Sequence, residues 1–192
     1  MRIVTKSSNL PAAPGYAEVS ILQGVTNTIR EARESDAREI AALWTEAYVT
    51  LGVGGRADPY STADFATSAR HGVVLVADGG AGVAGVVVLF GPEAPGRSAA
   101  SEDEAELSRL AVDVAERRQG IGRALVAHCE RLARSAEWPA IALWSRAGQV
   151  EAHRLYESMG YVRVAERDSV DSTGLERLVF RLELDRAATT AP

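Results

Sequence analysis

The chain holds a single cysteine, Cys129, so no intramolecular disulfide can staple it. Nowhere do about 18 consecutive apolar residues occur, and the N-terminus lacks the continuous hydrophobic segment of a signal peptide. No stretch therefore reads as a spanning helix, and a cytoplasmic protein without a membrane partner is the expectation. The histidines, His71, His128 and His153, show no metal-ligand spacing with one another or with Cys129, which implies no metal site. The net charge is -5 with both signs interspersed, so no basic field points to nucleic acid. No internal repeat is visible.

What is present suffices for one core, since 46% of the 192 residues are apolar. The chain is organised around residues 104–126, EAELSRLAVDVAERRQGIGRALV. Leu107, Leu110 and Val112 read as an apolar strand. Beyond them Ile121, Leu125, Cys129 and Leu132 fall at spacings of one helix face, which makes Cys129 a small buried hydrophobe. Between strand and helix lies a turn, Glu116 to Gly120, with Arg117 and Arg118 in it. A strand that turns through a basic, glycine-bearing loop into a helix leaves the first helical N–H groups unpaired, and this is a site for an anion such as phosphate. Neither the dinucleotide pattern G-x-G-x-x-G nor the P-loop pattern G-x-x-x-x-G-K-[ST] occurs in residues 107–126.

The arrangement Arg117-x-x-Gly120-x-Gly122 resembles the pyrophosphate-binding motif, Q/R-x-x-G-x-G/A, of the GNAT superfamily of N-acetyltransferases. Leu107 to Val112 is similar to that family's fourth strand. A second stretch, Gln149-x-x-Ala152-x-x-Leu155-Tyr156-x-x-x-Gly160-Tyr161, is similar to its other signature, with Gln149 where an Asn is usual. A core role alone explains Leu155 and Met159. Tyr156 differs, because a buried hydroxyl needs a partner.

The rest of the chain supports this reading. Thr28 to Arg33 alternates like a first strand. Asp36-x-x-Glu39 is spaced for a capping box ahead of a helix through Ile40, Leu43, Trp44, Ala47 and Val49, and Ser61-x-x-Asp64 opens a second helix to about Arg70. Val73 to Ala77 and Val83 to Phe90 form a hairpin, apolar enough to be covered on both faces. A strand from Ala140 to Trp144, a helix from Gln149 to Met159 capped by Gly160, and strands over 161–166 and 175–184 complete the order. The expected fold is α+β: a GNAT-like mixed, mostly antiparallel sheet of about seven strands with helices on both faces. It forms one domain over residues 27–185, with an extension at 1–26, partly ordered at best, and a tail at 186–192.

The resemblance implies acetyl-CoA as cosubstrate, with no metal, and an amine of a small molecule or peptide as acceptor. It implies that the backbone of Leu110 and Val112 pairs with the pantetheine arm, the Val112 N–H facing the acetyl oxygen, and that Ala111 between them is also part of the cofactor site. Arg117, Arg118, Gln119, Gly120, Ile121, Gly122 and Arg123 would hold the pyrophosphate, and Gln149 would contact the cofactor chain. Tyr156 would protonate the departing thiolate. For a general base, Glu104 reads as a solvated surface charge, while two readings stay open for Glu106: surface charge, or the active-site face of the strand. The substrate loops would be Val49 to Tyr60, Gly91 to Asp103 and Asp168 to Gly174. A homodimer is expected only from the frequency of two-fold association. The alternative from another class is a non-catalytic acyl-CoA sensor.

Overall fold

The computed structural model describes residues 18–22, 25–50, 58–79, 82–171 and 174–184. Among these residues nine strands form one mixed sheet: β1 (Glu18–Leu22), β2 (Val25–Glu31), β3 (Gly72–Asp78), β4 (Val83–Phe90), β5 (Ala105–Val112), β6 (Ala140–Arg146), β7 (Val162–Arg163), β8 (Ser169–Val170) and β9 (Glu176–Glu183). Their order is β1-β2-β3-β4-β5-β6-β9-β7, with β8 also pairing β9. The helices are α1 (Ala37–Thr45), α2 (Thr62–His71), α3 (Ile121–Ser135) and α4 (Val150–Ser158).

The hairpin of β3 and β4 lies inside the sheet, and its alternation sorts two cores. Val73, Leu75 and Ala77 face α3 and α4, packing with Leu125, Val126 and Tyr156. Val74 and Val76 face α1 and α2, packing with Ile40, Trp44 and Phe65. A continuous apolar run is what a strand buried on both faces requires. The second half of the sheet carries a smaller cluster, Ala142 and Val179 beneath Ala99 of the 91–104 loop.

Several local expectations need correction. The count of about seven strands omits the two-residue β8 and also β1, which lies inside the segment read as an extension and pairs with β2 from Glu18↔Ile29 to Leu22↔Val25. The capping box before α1 is one turn earlier than its spacing suggested. Asp36 closes a 3-10 turn, accepting the Arg33 N–H at 2.7 Å and pairing with Arg30 at 2.6 Å. Glu39 instead accepts the Val83 N–H at 2.8 Å and so ties α1 to the β3–β4 hairpin. The box at Ser61 and Asp64 is present as expected. Beyond Thr45 the first helix continues through one wider π-type turn, Glu46–Thr50. The glycines expected to break it lie in 51–57, outside the described residues, as does the tail after 184.

Candidate functional site

All neighbouring strands run antiparallel except β5 and β6, and this pair is short: only Ala105↔Ile141 and Glu106↔Ala142 are in register. Beyond it each strand continues along its other partner, β5 to Val112 on β4 and β6 to Arg146 on β9. The sheet therefore opens into a wedge whose walls are unpaired strand edges. Asp113 donates its N–H to the Ala84 carbonyl at 2.9 Å, so by strand alternation the Val112 N–H and C=O point away from β4 into the wedge. The Val112 carbonyl accepts Arg117 Nε at 3.2 Å.

A bulge marks the wall of the wedge. The β4–β5 register shifts between Val86↔Ala111 and Val88↔Ser108, so Arg109 and Leu110 together oppose Val87. Arg109 there has φ +54°, in the left-handed region. Two aromatic residues hold the bulge: Trp44 Nε1 donates to the Arg109 carbonyl at 3.0 Å and the Tyr48 hydroxyl to the Leu110 carbonyl at 2.6 Å. The strand is thereby bent away from β4 with its displaced carbonyls satisfied.

At the mouth of the wedge stands the N-terminus of α3. Arg118 (φ +66°) and Gly120 (φ +83°) reverse the chain, and the Ala124 N–H closes the first helical turn on the Gly120 carbonyl at 3.0 Å. The N–H groups of Ile121, Gly122 and Arg123 precede that bond, and no described side chain caps them. A Cβ at Gly122 would meet Leu155 at 3.5 Å, Val112 at 3.7 Å and Leu110 at 4.0 Å, so this glycine faces the space where β5 and α4 converge. Arg117, Arg118 and Arg123 are exposed around it. Gln119 donates to Glu116 at 2.9 Å and lies at the loop's base.

Across the wedge, α4 presents Tyr156 and its preceding residue Gln149. Gln149 Oε1 accepts the Arg146 N–H and the Ser145 hydroxyl, both at 2.9 Å, which locks the end of β6 to the helix and leaves the amide NH2 for the cleft. Burial pushes the Tyr156 phenol up from its ordinary range, with the Cys129 thiol adding to it, so the hydroxyl keeps its proton. Tyr156 lines the cleft together with Tyr48, whose own phenol is raised by burial and then by Tyr156. No described side chain bonds the Tyr156 hydroxyl.

The glutamates are not solvated. Glu104 Oε2 accepts Arg167 at 2.6 Å and the Ser101 N–H at 2.8 Å, while Oε1 accepts Arg181 at 2.7 Å. Burial alone would raise this carboxyl; Arg167, the Ser101 N–H and Arg181 overcome it and hold it at about 2. Glu106 is also buried, and its Oε2 accepts the N–H groups of Ser98, Ala99 and Ala100 at 2.7, 2.7 and 3.2 Å. It lines the cleft at the end where β5 and β6 still pair.

The wedge opens into a cleft of about 520 Å³ toward α2 and the 91–104 loop. Arg97 holds that loop from within, donating to the carbonyls of Ala94, Ser101 and Glu104 at 3.3, 2.7 and 2.9 Å and to that of Pro92. A second groove of about 610 Å³ lies beside α1; its carboxylates, Glu39, Glu46, Asp113 and Glu116, suit it poorly to phosphate. Among the described residues no helix is long and apolar enough to cross a membrane, and no cluster of three His, Cys, Asp or Glu could hold a metal.

The wedge thus gathers the residues that the sequence singled out: Leu110 to Val112 on one wall, 117–123 at the mouth, Gln149 and Tyr156 on α4, and Glu106 at the closed end. Trp44, Tyr48, Arg109 and Arg177 escaped sequence reading. The one signal was the polar pair Ser108-Arg109 inside an apolar strand.

The family model described as acetyltransferase (GNAT) family matches residues 28–161. N-acetylaspartate synthetase of Danio rerio is 34% identical over 91 residues, 45% of this chain and 32% of that protein. Its counterpart in Xenopus tropicalis is 34% identical over 109 residues, 54% of this chain and 38% of that protein. The matches span about a third of the length of these curated relatives. Among solved structures, yncA of Salmonella typhimurium with its cofactor acetyl-CoA superposes with a TM-score of 0.68 at 22% identity, covering 86% of this chain and 97% of that one. The ribosomal-protein-S18-alanine N-acetyltransferase of Escherichia coli gives 0.61 at 23%, covering 86% and 99%. At such identities the likeness is one of fold.

Proposed function

The chain belongs to the acetyltransferase (GNAT) family, and on that footing we propose that it transfers the acetyl group of acetyl-CoA to a primary amine by direct attack. The observation that carries this reading is the wedge: two unpaired strand edges, a helix N-terminus at the mouth and a protonated phenol inside. The edge of β5 suits the amides of a pantetheine arm, which pair with it as an added strand would. The N–H groups of Ile121, Gly122 and Arg123, with the exposed arginines around them, suit a pyrophosphate. Acetyl-CoA supplies an activated carbonyl with a thiolate as its leaving group.

The chain's own residues would then act as follows. The Val112 N–H donates to the acetyl oxygen and stabilises the negative charge that grows there as the amine attacks. Glu106 has Oε2 held by three N–H groups, so Oε1 is left to take the amine's proton, through water. As the C–N bond forms and the C–S bond breaks, Tyr156 gives its proton to sulfur and regains one from solvent. Gln149 keeps α4 and β6 in place and turns its NH2 toward the cofactor chain. A phenol raised by burial and bonded by no described side chain favours an enzyme over an acyl-CoA sensor.

The name of the curated relatives puts amino acids first among acceptors to try. The test is thiol release from acetyl-CoA with amino acids, polyamines and peptides, beside the CoA-dependent rise in melting temperature. Saturable stabilisation with turnover on at least one amine is expected. Stabilisation without turnover on any of them would leave the sensor, and no stabilisation at all would remove both.

A further inference from the structure

The transfer reading leaves Arg109 without a role, yet the fold takes trouble to hold it. Its φ of +54° is strained for a non-glycine residue and is held by the bond from Trp44 to its carbonyl. The guanidinium lies over the rings of Trp44, at 5.2 Å, and Tyr60, at 5.7 Å, and donates to the Ser68 hydroxyl. Among the described residues no carboxylate pairs with it. A half-buried cation, stacked and oriented but without a counter-charge among the described residues, therefore lines the cleft beside the proposed acetyl site.

The cleft as a whole has the same bias. Arg177 lies over Trp144 at 4.6 Å, is only loosely paired with Asp171 at 3.7 Å, and keeps a buried Nε without a partner. The carboxylate lining the cleft, Glu106, has one oxygen already surrounded by three N–H groups. Arg109 is three residues from Val112 on one strand, about 10 Å along the backbone. An arginine side chain and a compact amino acid together bridge that span.

We infer that the acceptor is an amine that also carries a carboxylate, and that Arg109 binds the carboxylate. The inference rests on the transfer reading. Arg109 is then a specificity residue, pre-oriented by its stack on Trp44 and by Ser68, which lowers the entropy lost when it engages the anion.

The experiment compares glycine, β-alanine and L-aspartate, each with its primary amide. With CoA present, calorimetry gives the dissociation constants, and thiol release gives kcat and KM. The parent should prefer acid over amide by about 10- to 10²-fold, the range of a hydrogen-bonded charge. Arg109→Gln should bring that ratio near one, with CoA affinity and melting temperature at parental values, and Arg109→Lys should fall between. Should Arg109→Gln fail to fold, Ser68→Ala unties the guanidinium while keeping its charge, and a lowered acid-to-amide ratio is again expected. Equal affinity for acid and amide in the parent, or a ratio undiminished in the variants, overturns the inference. So does a variant that loses both acceptors equally together with its melting temperature, which is the mark of a packing role. Acid preference in calorimetry without any turnover would sink the transfer reading and keep Arg109; turnover without acid preference does the reverse.

Discussion

Gly122→Val probes the mouth of the wedge. The Cβ at this position would meet Leu155, Val112 and Leu110 at 3.5, 3.7 and 4.0 Å, ordinary van der Waals contacts, so the fold accepts a first carbon. Replacing a helical glycine also removes backbone entropy from the unfolded chain, a gain of about 0.5 to 1 kcal/mol. Gly122→Ala should therefore be as stable as the parent or slightly more so, and should keep most of its CoA affinity. Valine adds two γ-carbons that reach about 1.5 Å further. With Leu155 already in contact, they extend into the space proposed for the pyrophosphate and pantetheine. Thermal shift reads the outcome. At a CoA concentration of 100 times Kd the parent gains about 2.7 kcal/mol. For a chain of 192 residues that is a rise of about 5 to 11 °C. A 10²-fold loss of affinity leaves about 0.4 kcal/mol at the same concentration, or about 1 to 2 °C. A parental shift in Gly122→Val would refute the assignment of the loop. A variant already unfolded without CoA would refute the claim that the glycine serves the ligand and not the fold.

Tyr156→Phe keeps the ring against Phe180 and Tyr161 but removes the donor, so turnover should fall on the order of 10² to 10⁴ at parental CoA affinity and melting temperature; parental turnover would move the acid elsewhere. Glu106→Gln should lower kcat/KM at parental CoA affinity, and parental kcat/KM would clear Glu106 of the base role. Glu104 is held at about 2 in the folded chain against an ordinary 4.5, so its contribution is complete above about pH 4.5 and is lost as pH falls through about 2. Glu104→Gln should cost about 2 to 3 kcal/mol at neutral pH, and urea titrations of the two proteins should converge toward pH 2; a constant gap would show that the loss is not electrostatic.

The parts of the fold legible in the sequence are those fixed by near neighbours. The apolar runs of β3 and β4, the box at Ser61 and Asp64, and the turn from β5 through Gly120 into α3 each announce themselves within a dozen residues. What escaped depends on distant partners. Trp44 and Tyr48 hold the bulge across sequence separations of 65 and 62 residues. Glu104, sitting in an acidic run, looks like a surface charge until Arg167 and Arg181 arrive from separations of 63 and 77. At Asp36 the spacing was ambiguous in itself, because the same carboxylate can open one box or close another; the long reach of Glu39 to Val83 decided it.

The short pairing of β5 with β6 gives this sheet two kinds of border. Among the described strands the outer ones are β1 at one end and β7 and β8 at the other, and the two-residue β7 and β8 offer little template for a neighbouring molecule. The inner borders, beyond Glu106 and Ala142, are longer and have no strand partner, yet they face one another across a slot. A whole sheet from another protein cannot enter that slot; a single extended chain can. The molecule can therefore carry open ladder groups through its middle without inviting fibril-like assembly, and narrowness does the filtering that charge or proline performs on an ordinary edge.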